Sequence, residues 1–196
     1  MNLIRAGLVA IFCMNLAACV AETTNDRVVH ANAYGLYAAA AGGKEMPVVV
    51  VNKPFSVAGD ALGDYVTDAM QGHANGPETE FTIRPSTNVT PRFRVVVMFN
   101  PATGLADHNL CKPRVRDLPS RPGGAGLNVV MAFCGAPLLR SAFCRGTAVC
   151  NGTILLSVVN GSAAAARPGD ETFRSLLAAM TRDLIPSRST VSPGRS

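Results

Sequence analysis

Short apolar runs, each bounded by Pro, Gly or Asn, restrict this chain to a sheet-based fold. They are PVVVV ending at Val51, RFRVVVMFN from Arg92 to Asn100, NVVMAFCG from Asn128 to Gly135, PLLRSAFC from Pro137 to Cys144, and GTILLSVVNG from Gly152 to Gly161. Runs of this length, rich in Val, Ile and Phe, fit buried strands, while buried helices need ten residues or more. EFTIR, 80 to 84, alternates as a shorter strand. In RFRVVVMFN, Phe93, Val95, Val97 and Phe99 fall on one face; Arg92, Arg94, Val96 and Met98 fall on the other. The first face suits packing against helices, and the second suits a cover over its later end only.

Two segments carry the 3.6-residue period instead. Val57, Ala58, Ala61, Leu62, Tyr65, Val66, Ala69 and Met70 make one apolar stripe, with Ser56 as cap and Gly72 as stop. Phe173, Leu176, Leu177, Met180 and Leu184 make another, capped by Asp170 and stopped by Pro186. The order is strand, helix, two strands, a long irregular stretch from 100 to 127, three strands joined by short turns, helix. That order predicts an α+β fold: one mostly antiparallel sheet of about five to six strands, with two helices on one face. Asn151-Gly-Thr and Asn160-Gly-Ser read as turns.

Before the first strand, AGLVAIFCMNLAA, 6 to 18, is apolar except for Asn15 and follows the single charge of Arg5. This is the layout of a secretory signal, and it is too short to remain as a bilayer span, which takes about 20 residues. Leu16-Ala17-Ala18-Cys19 resembles the lipobox of bacterial lipoproteins. The resemblance covers the leader alone. It implies cleavage before Cys19, a diacylglycerol on its sulfur and an acyl chain such as palmitate on its amine. Each buried CH₂ of such an anchor contributes about 0.8 kcal/mol, so several chains make it permanent. Val20 in place of an Asp, by the same resemblance, favours the outer membrane and a domain facing the periplasm. The expected division is a signal peptide over 1–18, a lipid-anchored linker over 19–45 whose Ala-rich part reads as a helical turn or as more linker, a domain over 46–186 and a disordered tail over 187–196.

With Cys13 removed and Cys19 lipidated, Cys111, Cys134, Cys144 and Cys150 remain. An even number in an exported chain predicts two disulfides. Three pairings are open to the four; in one of them Cys144 and Cys150, which enclose only RGTAV, close a small loop, and Cys111 then ties the long irregular stretch to Cys134. The set lacks the C-x₂-C spacing of a zinc knuckle, so no metal is expected.

No sequence-local catalytic set is present: there is no G-x-S-x-G, H-E-x-x-H or phosphate-cradling G-x-x-x-x-G-K. No cofactor is implied. Asp60, Asp64 and Asp68 repeat every four residues with no Lys or Arg on their helix, and repel one another there. Lys112, Arg114, Arg116 and Arg121, with Asp117 among them, form the densest basic stretch and a candidate contact for anionic lipid or polymer. The net charge of +5, or +4 once Arg5 leaves with the leader, fits an anionic neighbour and gives no ground for a nucleic-acid partner. The leading expectation is a non-enzymatic envelope lipoprotein that contacts a protein or polymer. The alternative classes are a binding module for anionic lipid or polymer, and an exported hydrolase using His108 with one of the helix Asp residues.

Overall fold

The computed structural model describes residues 22–57, 60–122, 126–136, 153–164 and 166–185. Strands β1 (Glu22–Val28), β2 (Glu45–Val51), β3 (Glu80–Thr82), β4 (Arg94–Phe99), β5 (Gly126–Gly135) and β6 (Ile154–Ala164) form one sheet in the order β1-β6-β5-β4-β2-β3. Helices α1 (Ala33–Ala41), α2 (Ala61–Met70) and α3 (Glu171–Leu184) complete the regular elements.

The α+β class holds, but the sheet is mixed. β1, β6, β5 and β4 pair antiparallel, whereas β4 with β2 and β2 with β3 pair parallel. The parallel half follows from α2, which returns the chain from the end of β2 to the start of β3, as a crossover helix must. The strand expected over 137–144, and with it the Cys144–Cys150 pair, lies outside the described residues, as do the leader with Cys19 and the tail over 187–196.

Residues 22–41, expected as part of a linker, supply β1 and α1. Folded structure therefore reaches back to Glu22, and among the described residues there are three helices rather than two. α1 has the sequence AYGLYAAAA, with Leu36, Tyr37, Ala40 and Ala41 buried. Alanine is the best helix former, yet a segment apolar on every side has no polar face to mark its period.

Alternation on the central strands sorts the core into two layers. Val95, Val97 and Phe99 of β4 and Val129, Met131 and Phe133 of β5 join the helices' Leu36, Leu62, Val66, Phe173, Leu176 and Met180. Val96 and Met98 of β4, with Val130, Ala132 and Cys134 of β5, point the other way and meet Leu110, Cys111 and Val115. The expected two faces of RFRVVVMFN are realised, and all three helices share the first. On that face α3 packs directly over β6: a Cβ on Gly161 would stand 2.8 Å from Leu176 Cδ1 and Met180 Sδ. Asn160 and Gly161 are thus strand residues rather than a turn, with Gly161 admitting the helix.

Candidate functional site

The second face of the sheet is covered by the long stretch after β4, which the sequence marks only as irregular. Two 3₁₀ turns, Asp107–Cys111 and Val115–Asp117, lay Leu110, Cys111 and Val115 onto it, all buried. Cys111 is bonded to Cys134 of β5, with Cα atoms 5.4 Å apart across 23 residues. Closing a loop of that length contributes about 3 kcal/mol in the chain-entropy account. Arg94 of β4 adds a polar clamp. Its Nη2 donates to the carbonyls of Cys111 at 2.9 Å and Lys112 at 3.2 Å, and the Thr153 hydroxyl donates to the same Cys111 carbonyl. Burial pulls the Arg94 pKa below the usual arginine range, and its Nε has no hydrogen-bond partner among the described residues.

Where the first 3₁₀ turn meets the end of β1, a groove of about 590 Å³ opens. Leu105, Ile154, Leu155 and Val29 give it an apolar floor; Arg27, His108, Lys112 and Asp107 stand around it. Among the described residues Asp107 is the only carboxylate of the lining, and it accepts from Arg27 Nη2 at 2.8 Å. With Asp107 engaged by Arg27, Lys112 and the clamp residue Arg94 leave this corner of the sheet positively charged. Arg27 and Val29 fall in the segment expected as linker. Their only signal in the sequence is DRVV, too short to give a period.

A second depression borders the opposite edge, at Lys44, Glu45, Gln71, Glu78, Glu80 and Asn88. Two of its charges, Glu45 and Lys44, are engaged locally. The Glu45 carboxylate accepts from the Ser86 amide at 2.6 Å and hydroxyl at 2.7 Å, which hold its pKa below the usual range. Lys44 Nζ donates to Thr90.

The expected site residues are dispersed. Lys112 stands at the groove, beside the start of β4, where Arg94 reaches its carbonyl. Arg121 sits at the other end of that strand, its amide donating to Asn100 O and its Nε to Pro101 O. Arg116 borders a small pocket with Lys53 and Asp60, and Arg114 is exposed. The four cations therefore do not share one surface. The acidic row on α2 finds the cations its own helix lacks: Arg84 lies 2.5 Å from Asp64 and 4.0 Å from Asp60, and Lys53 lies 3.8 Å from Asp60. Cross-element pairing of this kind fits a solvated face.

His108 and the aspartates of α2 lie on opposite sides of the sheet, since the first 3₁₀ turn packs on one layer and α2 on the other. They cannot act on one substrate as an acid–base pair, which needs both within hydrogen-bond reach. Cys111, spent in the disulfide, offers no thiolate to His108. Among the described residues no group of His, Cys, Asp and Glu could hold a metal ion, and no helix is long and apolar enough to cross a membrane.

Compared with protein-family models, with curated proteins and with solved structures, the chain matches none.

Proposed function

We propose that this chain is a bacterial envelope lipoprotein, anchored through Cys19 at the periplasmic face of the outer membrane, that works by binding rather than by catalysis. The observation that carries the reading is the Cys111–Cys134 bond. Disulfides persist in exported proteins and are rare where thiols are kept reduced. With that pair made, Cys144 and Cys150 are left as a second pair, and Cys19 is the odd sulfur of the exported chain, available for lipid. The separation of His108 from the acidic helix face supports binding over a hydrolase. The role is structural or assembly-related, through contact with an envelope protein or an anionic polymer.

Replacing Cys19 by Ser tests the anchor. The substitution is expected to move the protein from the membrane to the soluble fraction and to abolish labelling by a palmitate analogue. Unchanged membrane partition, or an unmodified Cys19 by mass spectrometry, would overturn it. The exported protein is also expected to carry no free thiol at 111 or 134 under alkylation.

A further inference from the structure

Resting on the anchor at Cys19, we propose that the groove at the end of β1 is a second membrane contact, taking the headgroups of anionic phospholipid, so that the outer edge of β1 lies along the bilayer. Three Cα–Cα steps separate Cys19 from Glu22, a span of about 11 Å at most. Glu22 is already paired, opposite Ser162 of β6, so the anchor is joined to the sheet with almost no slack. β1 is the edge strand of the sheet and runs about 20 Å from Glu22 to Val28. An anchor at its beginning therefore keeps its far end within about 31 Å of the same surface, so that the strand can reach it by lying flat.

What stands at that far end suits a headgroup layer. Val28 and Val29, 39% and 48% exposed, are two of the three exposed large hydrophobic residues among those described. Arg27 and Lys112 flank Val29 in the groove, and Arg94 lies behind Lys112. Asp107, the one carboxylate of the lining among the described residues, is bonded to Arg27. Exposed aliphatic side chains among cations bind an interface by two routes: the apolar groups enter the headgroup boundary, and the cations draw anionic lipid. The opposite edge, with Glu78 and Glu80 exposed, is about 24 Å away across the strands and would face away from the membrane.

The chain has no Trp, so each Trp introduced is a single reporter. Val29→Trp and Glu78→Trp, made separately in the full-length lipidated protein, would be placed in vesicles of phosphatidylcholine with 30% phosphatidylglycerol and brominated acyl chains, the proportion chosen to bring the surface potential to roughly that of a cytoplasmic leaflet. Fluorescence at 29 is expected to be quenched roughly threefold more than at 78, since interfacial apolar groups sit within reach of the acyl boundary. Adding Arg27→Glu and Lys112→Glu is expected to remove that difference while the protein still floats with the vesicles. Val28→Trp provides a second reporter if position 29 perturbs the fold. Equal quenching at 29 and 78 in floating protein overturns the contact and leaves the anchor standing. The same preference on phosphatidylcholine alone overturns the role of anionic headgroups. Protein that does not float, with Cys19 unmodified, overturns the anchor and this placement together.

Discussion

Ser157 of β6 donates its hydroxyl to the main-chain carbonyl of Leu184, the last residue of α3, at 2.6 Å. The last carbonyls of a helix have no partner within it, and here a buried strand residue supplies one. Ser157 reaches that side because the β5–β6 register shifts between Phe133 and Cys134, which pair with Ser157 and Leu155 respectively. The irregularity brings both Leu156 and Ser157 toward the helices.

Ser157→Ala leaves the Leu184 carbonyl buried and unpaired, at a cost of about 2 kcal/mol. For a domain of this size that predicts a fall in Tm of roughly 4–8 °C. Ser157→Thr, which keeps the hydroxyl, is expected to lose less. Thermal unfolding of the two variants checks the bond, and an Ala variant as stable as the parent removes it from the account.

Tyr37 is fully buried, edge-on to Phe133 with ring centroids 5.7 Å apart, and its hydroxyl has no hydrogen-bond partner among the described residues. Tyr37→Phe keeps the ring and removes the unpaired group, so it is expected to stabilise by about 1 kcal/mol. Burial also raises the phenol pKa well above its usual value. A raised pKa means that the folded state keeps its proton while the unfolded chain loses it. This contribution is whole below the unfolded value of about 10 and is lost as pH rises beyond it, by about 1.4 kcal/mol per pH unit. Urea midpoints at pH 9 and pH 11 should diverge more in the parent than in the Phe variant.

The cover over the second sheet face depends on the disulfide and the Arg94 clamp together. Replacing both Cys111 and Cys134 by Ala is expected to cost about 3 kcal/mol and to speed proteolysis between Leu105 and Leu118 while the helix-bearing face stays protected. Arg94→Met, which keeps the aliphatic stem and removes the donors to the Cys111 and Lys112 carbonyls, is expected to loosen the same stretch by about 1–3 kcal/mol. Limited proteolysis with mapped cleavage sites separates this local effect from global unfolding.

The legible parts of this fold were those with a period. Of the stripe read from Val57 to Met70 the part from Ala61 appears as α2, with Asp60 rather than Ser56 at its cap position, and the stripe from Phe173 to Leu184 appears as α3; the alternation in RFRVVVMFN assigned both faces of β4 correctly. β1 was not legible, and the segment of α1 was legible only as a helical turn or linker. An all-apolar Ala-rich segment has no polar face to mark a period, and the polar ETTND of β1 carries no apolar alternation in its sequence, its place in the sheet being shown by pairing with β6. Parallel pairing of β2 with β4 depends on contacts far apart in the chain, which local pattern does not encode. Of the groove, Lys112 and His108 stood out as charges in a loop, but their meeting with Arg27 requires β1 to be in the sheet.

The β3 edge shows how one side chain stands in for a missing strand. Gln71, just past the end of α2, donates Nε2 to the Phe81 carbonyl at 2.8 Å and accepts from the Phe81 amide at 3.2 Å through Oε1. The neighbouring Glu80 amide is bonded inward, to Lys44 O, so Phe81 presents its polar groups outward, where an open edge would recruit another chain. Gln71→Ala removes both bonds and is expected to destabilise by about 1 kcal/mol. Its larger effect is expected on association, seen as faster growth of light scattering at moderate temperature. Gln71→Glu distinguishes edge protection from loss of packing: the carboxylate still accepts from the Phe81 amide but repels its carbonyl, so scattering should fall between parent and Ala. A Glu variant no different from Ala would mean that the amide's donor is the half that guards the edge. If both variants stay as dispersed as the parent, Gln71 does not protect it.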